Sequence, residues 1–292
     1  MAQNGDVSAA HAGTLTLGGD MTVHRMGFGA MRITGDGIWG PPADRDSAKA
    51  LLRRTVERGV NFIDTADSYG PEVSEQLIAD ALHPYPDGLV IATKGGLLRD
   101  GPGQWRPDCR PEHLREACEA SLRRLRVDRI DLYQLHTADP EVPYEESIGA
   151  LAELRREGKI RHVGVSNVDA AHLDTARGMV DVVSVQNRYS ISERDAEEML
   201  EACERDGLAF IPWFPLAAGS LAEPGGPLDR VAGRHGATRA QVALAWLLKR
   251  SRVMLPIPGT SSVEHFDENL SAAAVELSGE DARELEAAAT SV

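Results

Sequence analysis

The chain has little that would staple it covalently or hold it in a membrane. Its 292 residues include three cysteines, Cys109, Cys118 and Cys203, scattered and without a Cys-x-x-Cys pair. That spacing offers neither a disulfide framework nor a zinc site, and it fits reduced thiols in a cytoplasmic protein. No apolar run approaches membrane-spanning length. The opening Met1-Ala2-Gln3-Asn4-Gly5-Asp6 lacks the basic and apolar regions of a secretory signal. Basic residues are outnumbered, 31 Lys and Arg against 45 Asp and Glu, for a formal net charge of −14. Phosphate contacts need a basic face, so this balance argues against generic nucleic-acid or anionic-membrane binding. It leaves room for a local cationic pocket around one phosphorylated ligand. Two nucleotide signatures are also missing. The nearest approach to Gly-x-Gly-x-x-Gly, Gly27-Phe28-Gly29-Ala30-Met31-Arg32, fails at its last position, and no Gly-x4-Gly-Lys-Ser/Thr occurs.

A chain of this length can bury a substantial core without staples, and barrels fill this range as one unit. Residues 1–13 are small and polar and are expected to be disordered. Residues 14–23 alternate around Gly18-Gly19, which reads as a β-hairpin. Short apolar runs then follow near residues 26–30, 60–64, 89–93, 130–136, 160–166, 182–186, 209–214 and 253–256. Segments of helical period separate them, such as 47–57, 74–82, 111–125 and 144–157. Continuous apolar runs fit strands buried on both faces, and the alternation implies parallel strands with helical crossovers. The expected fold class is α/β, a (β/α)8 TIM barrel with an N-terminal β-hairpin, in a single domain over 14–292. The Pro/Gly-rich stretches 35–42, 95–110 and 217–227 each follow a strand. They should wall the C-terminal face, where barrel active sites lie.

Four ionisable side chains fall at or just past successive strand ends: Asp64, Tyr69, Lys94 and His136. Singly, each has an ordinary explanation. An Asp at a strand end caps a turn, Tyr69 before Gly70-Pro71 is a turn aromatic, Lys94 is solvated, and His136 is a satisfied structural residue. Arrival in register on successive strands is what sets them apart, because a barrel would bring all four to one ligand.

These residues sit in Asp64-Thr65-Ala66-Asp67-Ser68-Tyr69, Thr93-Lys94 and Asp131-Leu132-Tyr133-Gln134-Leu135-His136. Together with the fifth-strand run 158–167 and the loop Ile257-Pro258-Gly259-Thr260-Ser261-Ser262, they resemble the signatures of the aldo-keto reductase superfamily. The resemblance covers nearly the whole chain, in the family's order. It implies NADP(H)- or NAD(H)-dependent reduction of an aldehyde or ketone, with Tyr69 as proton donor. The residue chemistry permits this. The cofactor brings only hydride, so a proton must come from the protein. A tyrosine of ordinary pKa about 10 is a reluctant acid, and Lys94 is expected to lower it, with Asp64 holding the lysine. His136 can hydrogen-bond the substrate oxygen.

By the same resemblance, Ser166, Asn167 and Gln186 hold the nicotinamide carboxamide, and Trp213 stands where an aromatic stacks on its ring. The backbone of Pro215, Leu216 and Gly219 passes near the pyrophosphate. Ile257, Gly259, Thr260, Ser261, His265, Glu268 and Asn269 form the cofactor loop. Members selective for NADP commonly carry Lys at the place of Gly259 and Arg at that of His265. Hydroxyls and a helix N-terminus remain for a 2′-phosphate, so NADP(H) is favoured over NAD(H), with no metal. Trp39 and Trp105 are expected to wall a pocket for a small-molecule carbonyl substrate. The Phe214-Pro215-Leu216 region and the Pro-Gly-Thr-Ser-Ser loop resemble members that reduce pyridoxal. A competing reading is a cofactor-binding regulatory subunit of the same fold with little turnover. No nucleic-acid or membrane partner is expected, and oligomeric state is not legible.

Overall fold

The structure, a computed structural model, describes residues 7–216 and 225–289. The hairpin forms as expected from Thr14–Leu17 (β1) and Met21–His24 (β2), paired antiparallel from Thr14↔His24 to Leu17↔Met21. Next come Phe28–Gly29 (β3), Phe62–Asp64 (β4) and Val90–Gly95 (β5). A second antiparallel pair, Leu97–Gly101 (β6) and Gln104–Pro107 (β7), rises where only a loop was expected. Ile130–Leu135 (β8), Ile160–Ser166 (β9), Val182–Gln186 (β10) and Ala209–Phe210 (β11) complete the named strands.

Helices follow the strands. Arg45–Glu57 (α1) opens on Asp44, whose carboxylate accepts from the Asp46 and Ser47 amides, satisfying donors a helix start leaves orphaned. Val73–Leu82 (α2), Pro111–Leu125 (α3) and Tyr144–Arg156 (α4) cover the next strands. Ala170–Met179 (α5) is capped by Asp169, and Glu197–Asp206 (α6) stops at left-handed Gly207. Pro227–His235 (α7), Arg239–Arg250 (α8), Val263–Ser271 (α9) and Gly279–Ala289 (α10) finish the outer layer.

Seven strands form one sheet in the order β11-β10-β9-β8-β5-β4-β3, every neighbour parallel. Residues 253–256, expected as the last strand, lack regular strand geometry but close the ring. Phe210 donates to Val253 O and accepts from Leu255 N, each at 2.9 Å, and Gly27 donates to Pro256 O at 2.9 Å. Pro256 and Pro258 carry no amide hydrogen, so this stave cannot build a full ladder. The fold is that of a (β/α)8-type barrel.

Two apolar layers result. Leu17, Met21 and Val23 of the hairpin join Phe62, Val90, Leu132, Ile211 and Leu255 inside the ring, so the hairpin plugs its floor. The larger cluster lies between strands and helices.

The expected disorder over residues 1–13 does not extend to residues 7–13. Ala9–Ala12 form a 3-10 turn. Ala9 is fully buried and its amide donates to Arg58 O at 3.0 Å, while Arg25 N donates to Gly13 O. Alanines pack here because they are small, and for the same reason they leave no hydrophobic period to read.

Candidate active site

Register brings the ionisable residues together. β4 and β5 pair Asp64 with Ala92, while β5 and β8 pair Lys94 with Gln134 and Gly95 with Leu135. Asp64, Lys94 and His136 therefore meet at one end of the ring. Tyr69 arrives by a tight turn: its amide donates to Ala66 O, and Asp67 N donates to Lys94 O. The Thr65 hydroxyl donates to Ser74 Oγ, which in turn donates to Ala30 O, pinning the turn beneath Tyr69.

The Lys94 side chain is 0% exposed, and its ammonium donates to Asp64 Oδ1 at 2.5 Å, Thr65 O at 2.9 Å and Tyr69 Oη at 3.3 Å. Its three hydrogens thus have three acceptors. Burial would lower the lysine's pKa, but Asp64 and Tyr69 outweigh it and the net shift is upward. Lys94 stays charged.

Tyr69 departs from expectation. Burial raises its pKa, and the opposing pull of Lys94 does not reverse the shift, because Asp64 and Asp67 add to the rise. The phenol is held as a neutral donor rather than brought to working pH. His136 is driven well below the usual histidine range by burial and by Lys94. Its Nδ1 lies 3.5 Å from Ser68 Oγ and its ring meets Tyr69 edge-on at 5.9 Å. A neutral imidazole beside a neutral phenol can present hydrogen-bonding groups to one oxygen.

A cavity of about 570 Å³ opens over these groups, lined by Asp64, Tyr69 and His136 and by Ser166, Asn167 and Gln186. Trp213, Pro215, Leu216, Ile257 and Gly259 also line it. Asn167 holds a left-handed backbone (φ 55). Its amide donates to His136 O at 3.0 Å and to Ser166 Oγ at 3.2 Å, while its oxygen accepts from Trp213 Nε1 at 2.9 Å. The Trp213 indole thus brings an N–H that Asn167 satisfies. Gln186 Nε2 donates to Asp64 Oδ2 at 2.9 Å. Gln186 Oε1 and His136 Nε2 have no hydrogen-bond partner among the described residues, which fits a cavity that receives an amide and an oxygen-bearing ligand.

Thr260, Ser261, His265, Glu268 and Asn269 do not line this cavity. They lie on the loop and first turns of α9, where Ser262 caps the helix by accepting from His265 N. Thr260 Oγ1 accepts from Ser262 N at 3.1 Å, and Glu268 O accepts from Gln241. Gly259 has a steric reason to be glycine. A Cβ there would stand 2.7 Å from Gly29 O, and one on Gly29 would stand 2.6 Å from Ile257 O. Gly219 lies outside the described residues.

The two tryptophans separate. Trp105 lines the cavity, whereas Trp39 does not. Both flank Arg99, whose guanidinium carbon lies 3.7 Å from the Trp105 ring centre and 5.8 Å from that of Trp39. Arg99 donates to the carbonyls of Gly37, Ile38, Ser68, Gly101 and Gln104. It binds the loop after β3, the turn before Tyr69 and the β6–β7 hairpin into one wall. Nothing in the sequence marks it, since its partners are all backbone carbonyls, three of them in loops distant in sequence. Gln134, which donates to Asp64 Oδ2 at 3.1 Å, carries no expectation from the sequence, although a lone amide in a doubly buried strand is a signal that a partner exists. Arg32 lines the cavity too, exposed and without a hydrogen bond or ion pair among the described residues.

A parallel barrel thus holds a lysine-tethered tyrosine at its strand ends, under an open cavity. The chain belongs to the aldo/keto reductase family, whose profile matches residues 25–290. It is 53% identical over 274 residues to an uncharacterised oxidoreductase of Schizosaccharomyces pombe, covering 94% of this chain and 89% of that one. It is 44% identical over 273 residues to pyridoxine 4-dehydrogenase of Escherichia coli, covering 91% and 95%. Among solved structures it resembles an aldo/keto reductase from Klebsiella pneumoniae in complex with NADP and acetate, with TM-score 0.80, 28% identity and 94% of each chain covered. The chain is therefore an oxidoreductase of this family. No helix among the described residues is long and apolar enough to cross a membrane.

Proposed function

We propose that the protein reduces an aldehyde or ketone to an alcohol with NADP(H), Tyr69 delivering the proton to the carbonyl oxygen. The observation that carries this reading is the hydrogen-bonded run Asp64–Lys94–Tyr69 at the cavity floor. The nicotinamide, when bound, supplies the hydride that the carbonyl carbon accepts. Tyr69 Oη gives its proton to the oxygen as charge develops there, and the Lys94 ammonium stabilises the phenolate left behind. Asp64 holds Lys94 charged and in place. His136, neutral, orients the same oxygen. Gln186 and Ser166 are the groups proposed to meet the carboxamide, with Trp213 against the ring and Asn167 fixing both Trp213 and the His136 backbone.

Preference for NADP(H) is supported by the Klebsiella pneumoniae relative's complex. On this chain, Arg32 runs beside Gly259, its Cγ 3.6 Å from where a Cβ would stand. It offers a cation near the cofactor loop where Lys is absent. The likeness to pyridoxine 4-dehydrogenase and the apolar wall of Leu97, Trp105 and Leu216 favour a flat aromatic aldehyde, with pyridoxal as first probe.

Oxidation of NADPH by pyridoxal and generic aldehydes, followed at 340 nm beside NADH, tests the reading. Tyr69→Phe should lower kcat by about 10²–10⁴-fold while leaving NADPH affinity near wild type. Turnover within a few-fold of wild type in that variant would remove Tyr69 from the role.

A further inference from the structure

The catalytic carboxylate has two oxygens, and only one is taken by Lys94. Asp64 Oδ2 accepts from Gln134 Nε2 at 3.1 Å and from Gln186 Nε2 at 2.9 Å, while Gln186 Nε2 also approaches Gln134 Oε1 at 3.5 Å. Gln134 is fully buried on β8, flanked there by Leu132, Tyr133 and Leu135, with Asp131 nearer the strand's start. An amide in such a place is costly unless it is bonded, and its single donor contact among the described residues is to Asp64. The strand beside it is shaped to admit it. Gly164 on β9 pairs in register with Gln134, and a Cβ at Gly164 would stand 2.3 Å from Ser184 Oγ and 2.9 Å from Gln134 Cγ. Any larger residue at 164 would press on both side chains.

We propose that Gln134 is a positioning residue which, together with Gln186, fixes the outer oxygen of Asp64 and ties the cofactor side of the cavity to the proton donor. The proposal rests on the reading of Tyr69 as that donor. Gln134 and Gln186 are neutral, so they draw negative charge from Asp64 without adding a cation. Lys94 remains the cation beside Tyr69, and the effective charge of Asp64 sets how far Lys94 can favour the phenolate. The same carboxylate oxygen orients the Gln186 amide, turning its Oε1 away from Asp64 and leaving it unpaired at the cavity. Loss of Gln134 therefore has two consequences: Asp64 becomes a stronger negative neighbour of Tyr69, and Gln186 loses one of its two acceptors.

Gln134→Met keeps length and removes the amide. The ionisable groups facing Tyr69 are Lys94, Asp64, Asp67 and His136, and none is altered by this change. Ultraviolet difference titration of tyrosinate, with Tyr69→Phe as blank, reads Tyr69 without any substrate. In Gln134→Met the Tyr69 ionisation should move up by about half to one pH unit. NADPH affinity, from quenching of tryptophan fluorescence, should fall by about 3–10-fold. If Gln134→Met does not fold, Gln134→Glu carries the test, since a second carboxylate at this place should move Tyr69 upward further. Leu132→Ala on the same strand is the control for damage alone. A Tyr69 titration and an NADPH affinity unchanged in the Gln134 variant, with only melting temperature lowered as in Leu132→Ala, would overturn the proposal. Absence of carbonyl reduction by the wild type would instead defeat the proposed function, while the titration would still decide the role of Gln134.

Discussion

The Lys94 ammonium stands 3.3 Å from the Tyr69 hydroxyl and 2.5 Å from Asp64 Oδ1, so the cation that favours a phenolate is shared with a carboxylate. Burial then decides the sign, and the Tyr69 phenol lies above its ordinary pKa. A donor of that kind keeps its proton through the neutral range. In the proposed reaction it gives that proton up only as charge builds on the substrate oxygen.

The pH dependence follows from these shifts. With Tyr69 as the proposed donor, reduction needs its protonated form, so kcat should be flat from about pH 6 to 9 and fall only above the ordinary phenol value of about 10. Alcohol oxidation needs the phenolate and should climb over the same range. His136 is neutral well below pH 6.5, so no limb should appear near that value. Profiles of kcat in both directions check this. A reduction limb centred near pH 7 that vanishes in Tyr69→Phe would contradict it.

Asp67, two residues before Tyr69, has one carboxyl oxygen, Oδ1, shielded from solvent and without a hydrogen-bond partner among the described residues. Burial, reinforced by Glu75, raises its pKa to about 8. The folded state then binds a proton that the unfolded chain, with an Asp pKa of about 3.9, has already lost. Stability from this group is complete below about pH 4 and drains as pH rises towards 8. Asp67→Asn should erase that slope. Its melting temperature, relative to wild type, should rise between pH 5 and pH 8 and level off above 9.

Arg99 joins three loops through five carbonyls and lies against Trp105. Arg99→Met should cost about 2–3 kcal/mol of stability by leaving buried carbonyls unpaired. It should also raise KM for bulky aromatic aldehydes several-fold more than for small ones, with kcat changed less. Chemical denaturation and a substrate series separate the two effects. Equal KM changes across the series would mean that the wall does not shape the substrate site.

Much of the site was legible because it lies at strand ends. Asp64, Lys94 and His136 follow apolar runs whose order in a barrel is nearly dictated, and the register confirms that they converge. Trp39 was not legible in the same way. It sits on a loop, and whether it faces the cavity depends on Arg99, a residue distant in sequence from its anchors. The β6–β7 hairpin is not legible because Pro102-Gly103 and its charged flanks read as loop, and its strands, paired with each other and pinned by Arg99, carry no apolar period. The direction of the Tyr69 shift could not be read either. It is a contest between burial and a neighbouring charge, and a sequence supplies the charge but not the depth.

The seam between Gly27 and Pro256 joins the beginning of the ring to its end. During synthesis, a sheet built from β3 onward waits for the stave near residue 255 before its first strand gains its outer neighbour. Until then both margins expose unpaired amides and carbonyls to any passing strand. The emerging chain thus has a long vulnerable interval on the ribosome. Its ring can be completed only by a late contact of very large sequence separation.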